Sequence, residues 1–214
     1  SFAFAGWYAD EGLTKAVSSV ELKADTTVYA KWDWVNPFTD VKEGDYFYDA
    51  VKWASGSGVT GGITPTGFAP DMTCTRAQAV TFLWRAAGSP APKTTVMPFT
   101  DVPKDSYYYS AVLWAVENGI VKGTSDTTFS PDLDCSRAQI MTFLWRANGS
   151  KSGTAANPFV DVGSSDYYYD AVLWAVTNNI TVGTSANTYS PGGDCTRAQI
   201  VTFIYRELEK QNTK

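Results

Sequence analysis

The sequence predicts a mainly α protein: three helix–loop–helix repeats packed about a pseudo-threefold axis, with a short N-terminal β segment. Three observations carry this. Pro37-Phe38-Thr39-Asp40-Val41 returns as Pro98-Phe99-Thr100-Asp101-Val102 and Pro158-Phe159-Val160-Asp161-Val162. Cys74-Thr75-Arg76-Ala77-Gln78 returns from Cys135 and Cys195, so the second block recurs in step with the first. Between the blocks, apolar residues follow helical spacing, as at Phe47, Ala50, Val51 and Ala54.

The N-terminal segment, up to Trp32, reads differently. Phe4-Ala5-Gly6-Trp7-Tyr8, Val20-Glu21-Leu22-Lys23 and Thr27-Val28-Tyr29-Ala30-Lys31-Trp32 largely alternate apolar with polar, the strand period. In each repeat the first helix is expected to start in an aromatic triplet, Tyr46-Phe47-Tyr48, Tyr107-Tyr108-Tyr109 or Tyr167-Tyr168-Tyr169. A loop rich in Gly, Thr, Ser, Asp and Asn follows, closed by proline and suited to a tight turn or short strand pair. The second helix opens on Thr75, Ser136 or Thr196 with glutamine three residues later, the pattern of a capping box. Gly88 and Gly149 should stop the first two of these helices.

Helices of roughly 12 residues in a unit of about 60 bury too little surface to stand alone, so the apolar stripes of the three second helices are expected to meet and leave grooves between copies. The boundaries expected are 1–36 for a partial β repeat and linker, 37–92, 93–152 and 153–214 for the three repeats, with linkers at Ser89-Pro90-Ala91-Pro92-Lys93 and Ser150-Lys151-Ser152-Gly153-Thr154.

Composition narrows the function. The chain has 214 residues, 17 basic and 22 acidic, for a net charge of −5, which argues against nucleic acid as partner. No histidine is present, which removes Ser-His-Asp and Cys-His pairs and His-ligated zinc. No apolar run approaches the roughly 20 residues of a membrane span. The three cysteines, each just before a helix cap, read as small apolar staples rather than disulfide or zinc ligands, because three cannot all pair and no C-x-x-C occurs. Asp40, Asp101 and Asp161 repeat identically, and Asp49 and Asp170 give way to Ser110 in the middle copy, instead of forming the unequal pair that glycoside hydrolysis requires, which points to binding rather than turnover, with no cofactor and no metal.

Arg76, Arg137 and Arg197 are the sharpest candidates. Each stands at the first helical position, where the macrodipole disfavours a cation. An anion held jointly by the helix's unpaired N–H groups and the guanidinium would explain the placement; pairing with a loop acid, Asp40, Asp101 or Asp161, is the alternative. Arg85, Arg146 and Arg206, near the helix C-termini, read as structural. Trp53, Trp114 and Trp174 are core residues or groove walls with flat faces for a sugar. Gly62, Gly123 and Gly183 supply unusual backbone angles or let a ligand approach the main chain.

The run from PFTDV through DAVKWA to GFAPDMTCTRAQAVTFLWRA resembles the S-layer homology (SLH) repeat, with its F-x-D-V opening and I-T-R-A-E helix start, over about residues 37–210. The resemblance implies a three-pronged bundle whose grooves bind a peptidoglycan-linked secondary cell wall polymer bearing pyruvylated N-acetylmannosamine. It implies Arg76, Arg137 and Arg197 as ligand-binding residues, and puts Gly62, Gly123, Gly183, Trp53, Trp114, Trp174, Asp40, Asp101 and Asp161 at recurrent positions near the grooves. It further implies an extracellular, non-catalytic wall-anchoring monomer without membrane insertion; a surface adhesin recognising a protein or host glycan is the competing expectation. Cysteine replaces the motif's isoleucine and glutamine its glutamate in every copy. Residues 1–32, through FAGWY and LKADTTVYAKW, resemble the end of a Listeria-Bacteroides repeat.

Overall fold

A capping box starts each second helix. In the computed structural model, which describes residues 2–21 and 25–212, Thr75 Oγ1 accepts from Gln78 N–H (3.3 Å) and Gln78 Oε1 accepts from Thr75 N–H (3.2 Å). Ser136 with Gln139 and Thr196 with Gln199 do the same. These caps open α2 (Arg76–Ala86), α4 (Arg137–Ala147) and α6 (Arg197–Asn212). Gly88 and Gly149, at φ of 84° and 76°, end the first two in the left-handed region where glycine carries no penalty. The first helices are shorter than the sequence pattern suggests: α1 (Tyr48–Gly56), α3 (Tyr109–Glu117) and α5 (Tyr169–Thr177) have nine residues each, starting on the third residue of the aromatic triplet.

At the N-terminus, β1 (Phe2–Tyr8), β2 (Ala16–Val17) and β3 (Tyr29–Trp34) form an antiparallel sheet in the order β2-β1-β3. The third strand is displaced from the expected 27–32. Of the segment expected as the middle strand, Val20 and Glu21 lie outside any strand, and Leu22 and Lys23 lie outside the described residues. The pairing partner is Ala16–Val17 instead, because the turn closed by Asp10, whose carboxylate accepts from Thr14 and Lys15 N–H, brings the chain back early.

The second helices do meet around the axis, burying Val80, Ile140, Met141, Ile200 and Ile204 completely or nearly so. The more extensive packing joins neighbouring repeats: α2 against α3, α4 against α5, and α6 back against α1. Each helix pair is therefore shared between two repeats, and the third closes the ring.

Main-chain bonds close it too. Cys135 N–H donates to Cys74 C=O (2.8 Å), Cys195 N–H to Cys135 C=O (2.9 Å) and Cys74 N–H to Cys195 C=O (3.0 Å). All three cysteines are free and buried. Burial pushes the Cys74 and Cys195 thiols up to about 12 and the Cys135 thiol upward as well, so none is a thiolate at neutral pH. Ellman's reagent is expected to react with the chain only after denaturation; reaction of the native chain at the rate of a free thiol would contradict the sealed ring. The linkers are tied down: Trp84 Nε1–H donates to Pro90 C=O (2.9 Å) and Trp145 Nε1–H to Lys151 C=O (2.8 Å).

Candidate functional site

The three arginines predicted from the helix starts lie at the junctions between repeats, only 3%, 5% and 3% exposed for Arg76, Arg137 and Arg197. Each reaches into the next repeat. Arg76 Nε–H donates to Phe129 C=O (2.9 Å), Arg137 Nε–H to Tyr189 C=O (2.8 Å) and Arg197 Nε–H to Phe68 C=O (2.9 Å). The guanidinium carbons also stack 4.7, 4.9 and 5.0 Å from the rings of those same residues, with a ring of the next repeat's second helix, Phe143, Phe203 or Phe82, 5.3–5.5 Å away.

The repeated aspartates hold the other side of the same residue. Asp40 accepts from the N–H groups of Phe68 (2.9 Å) and Ala69 (2.7 Å), Asp101 from Phe129 and Ser130, and Asp161 from Tyr189 and Ser190. Aspartate and arginine thus grip one residue's N–H and C=O, and hold the following Ala69, Ser130 or Ser190 at φ of 57°. That conformation is costly for a residue with a Cβ, so it needs such fixing. The aspartates are loop anchors. Burial pushes the Asp40 and Asp161 carboxyls upward, but the donated backbone N–H groups and the arginine charge outweigh it and hold both below the ordinary 3.8. A carboxyl depressed in the folded state stabilises above its unfolded pKa, and that contribution is lost as pH falls through the folded value. Stability is therefore expected to be flat from neutrality to about pH 4 and to fall below it, with Asp161→Asn flattening the acid limb in urea titrations.

The expectation that unpaired N–H groups of the helix start share in anion binding is corrected. Arg76 N–H donates to Leu133 C=O, Ala77 N–H to Pro131 C=O and Gln78 N–H to the cap hydroxyl, and the other two helices repeat the pattern across their own junctions. The next repeat has consumed these donors. The guanidinium groups keep donors to spare: beyond the Nε–H, Arg76 uses one Nη2–H on Lys122 C=O (3.1 Å) and Arg197 one on Thr60 Oγ1 (3.3 Å). Among the described residues no carboxylate lies within 4.0 Å of any of the three.

These spare donors face grooves to which three repeats contribute. The first groove, about 360 Å³, has Arg76 from repeat 1, Lys122, Gly123 and the outer face of α4 from repeat 2, and Tyr167 from repeat 3. The second, about 260 Å³, has Arg137 from repeat 2, Gly183 and α6 from repeat 3, and Tyr46 from repeat 1. At the third junction Arg197 stands against Thr60 and Phe82, and Tyr107 lies close enough to Arg85 to feel its charge. Arg146 and Arg206, read from sequence as structural, line the first two grooves while donating to Ile120 and Ile180 C=O (3.4 and 3.1 Å). Burial pushes the Tyr46, Tyr107 and Tyr167 phenols upward.

Gly62, Gly123 and Gly183 are demanded by the loops themselves. A Cβ on Gly183 would lie 2.5 Å from the Phe159 ring and from Thr188 C=O, at a φ of 86°. Gly183→Ala is expected to cost roughly 2 kcal/mol or more in chemical denaturation; a neutral result would contradict this fit.

The tryptophans are elsewhere. Trp174 is buried and borders a separate small cavity with Lys151 and Lys210, Trp114 lies beside the C-terminal ends of the second helices, and the Trp53 ring packs 5.9 Å from that of Tyr205. The structure does not bring Trp114 or Trp174 to the first two grooves. Sequence reasoning missed the tyrosines and the helix face opposite them, although Gln139, Thr142, Phe143 and Arg146, spaced i, i+3, i+4 and i+7, recur in register as Gln199, Thr202, Phe203 and Arg206.

Similar proteins place this architecture. The chain is 27% identical over 188 residues to an amylopullulanase of Thermoanaerobacterium thermosulfurigenes, covering 85% of the chain and 10% of that protein. It is 29% identical over 168 residues to the surface-layer 125 kDa protein of Lysinibacillus sphaericus (77% of the chain, 14% of the relative). To an S-layer protein of Bacillus thuringiensis subsp. finitimus it is 26% identical over 181 residues (83% and 22%). The chain thus spans between a tenth and about a fifth of the length of these relatives, and the part it shares with the amylopullulanase is a small fraction of that enzyme. The family match and the surface-layer relatives indicate extracellular, cell-wall association; among the described residues no helix is long and apolar enough to cross a membrane. The S-layer homology domain matches residues 37–80, 98–141 and 158–201, each match running from the Phe-x-Asp-Val opening into the arginine-bearing helix, and the chain belongs to that family.

Proposed function

We propose that the chain is a non-catalytic cell-wall anchoring module whose inter-repeat grooves bind the acidic sugar of a peptidoglycan-linked secondary cell wall polymer, pyruvylated N-acetylmannosamine. The observation that carries this reading is the triplet of buried guanidinium groups, each held in place through its Nε–H by a carbonyl of the next repeat and none within ion-pair distance of a carboxylate among the described residues, with Arg76 and Arg137 lining grooves of saccharide size. The nearest acids, Asp101, Asp161 and Asp40, act on these cations from beyond ion-pair contact while their oxygens are committed to backbone N–H groups, so a buried cation is left incompletely compensated and a ligand carboxylate supplies a direct partner. The pyruvyl ketal is such a carboxylate, presented on a compact ring. Phe143 or Phe203 offers an apolar face, Gln139 or Gln199 an amide, and the exposed tyrosine of the third contributing repeat a hydroxyl.

Three such grooves on one chain would engage neighbouring units of a polymer, so avidity rather than single-site affinity would hold the parent protein at the surface. The N-terminal sheet is read as the end of a Listeria-Bacteroides surface repeat that precedes the anchor. In a sedimentation assay with purified wall sacculi, the chain is expected to pellet with the wall and to be released by saturating free pyruvylated N-acetylmannosamine. Retention at saturating competitor would overturn the reading and favour recognition of another wall or surface component.

A further inference from the structure

The first two grooves are built alike but charged unequally. The repeat register aligns Gly61, Lys122 and Val182 in the groove loops, and Asp71, Asp132 and Gly192 just after the loop prolines. Lys122 lines the first groove beside Arg76 and Arg146, whereas the second has the exposed Val182 at that place. The acids are distributed the opposite way. Asp71 acts on Tyr46 of the second groove and Asp132 on Tyr107 at the third junction, each adding to the effect of burial in pushing the phenol up. For Tyr167 of the first groove the charged neighbours are Arg76 and Arg146, and no carboxylate is among them. Its own repeat carries Gly192 where the others carry aspartate.

The first groove therefore has one cation more and one anion fewer than the second, and it is the larger of the two. Resting on the acid-saccharide reading above, we propose that the groove between repeats 1 and 2 takes a saccharide unit bearing two anionic groups, and that the groove between repeats 2 and 3 takes a singly charged unit. Arg76, clamped from behind, offers a fixed donor edge to a planar carboxylate. Lys122 is a mobile point charge whose main-chain carbonyl alone is committed to the fold, and it suits a second anion, a phosphate or carboxylate, whose position varies.

The test uses the whole chain, the methyl glycoside of pyruvylated N-acetylmannosamine as singly charged probe, and the same sugar as its anomeric phosphate. Amide resonances of Gly123 and Gly183 report the first and second grooves separately. At low salt the phosphate is expected to bind about fivefold tighter than the methyl glycoside at Gly123 and no tighter at Gly183. Added salt should erase the difference. Lys122→Val, which installs the residue repeat 3 already uses, should reduce the preference, the ratio of the two affinities at Gly123, to twofold or less. Equal affinities at Gly123, or a preference that survives Lys122→Val, would overturn this proposal and leave the acid-saccharide reading standing. Failure of both probes to shift either glycine would overturn that reading, and this proposal with it.

Discussion

Arg137→Ala is expected to destabilise the chain by about 3 kcal/mol as well as to disable the second groove. Two losses add: the buried Tyr189 C=O is left without its donor, and the guanidinium disappears from between the Tyr189 and Phe203 rings. An unsatisfied buried acceptor costs about 1–3 kcal/mol and a desolvated cation–π contact about 1–2 kcal/mol. Removing a buried cation gives back part of this through relieved desolvation, so Arg137→Met, which fills the same space, should cost less than alanine. Urea titration checks both, since a shift of midpoint at unchanged slope reads directly as stability. A change below about 1 kcal/mol in the alanine variant would show that the arginine does not clamp the loop. Loss of ligand binding by this variant is therefore meaningful only beside its stability, and the intact chain is the better subject for binding.

A chain ending at residue 152, without the third repeat, is expected to lose cooperative folding altogether. It leaves α1 without α6 and α4 without α5, opens the ring of cysteine main-chain bonds at two of its three links, and deprives Arg137 of Tyr189. Two repeats would then expose Val51, Ala54 and the inner face of α4, residues now fully or nearly buried, and small units have little stability in reserve. Broad amide resonances and a non-sigmoidal urea transition are the expected signs. A sharp transition with native dispersion would show that the repeats fold pairwise without closure.

What the sequence made legible was what is local. The Thr-x-x-Gln starts of α2, α4 and α6 are written in adjacent residues and involve no other repeat, so they are where the pattern placed them. The glycine stops at Gly88 and Gly149 are equally local. The partner of each helix was not legible: a constant period says that units recur, not that α2 packs on α3 of the next unit more than on α1 of its own. The arginines were found because a cation at a helix start breaks a local rule, but the reason for the breach lies 52 to 129 residues away, in a carbonyl of another repeat. The same distance hid the fate of the helix N–H groups. It also hid Tyr46 and Tyr167, which read as helix starts in their own repeats and become groove walls only in the assembled ring. Asp40, Asp101 and Asp161 were expected beside the grooves, with pairing to the arginines as the alternative. They share a residue with the arginine, on its opposite side, rather than an ion pair.

The direct test of the central claim is a calorimetric titration of the intact chain with purified secondary cell wall polymer before and after chemical removal of the pyruvyl ketals. If the buried guanidinium groups are completed by that carboxylate, the native polymer binds with heat that scales with its pyruvate content and the stripped polymer does not bind measurably. Equal heats and affinities for the two would show that the three arginines serve the clamp alone.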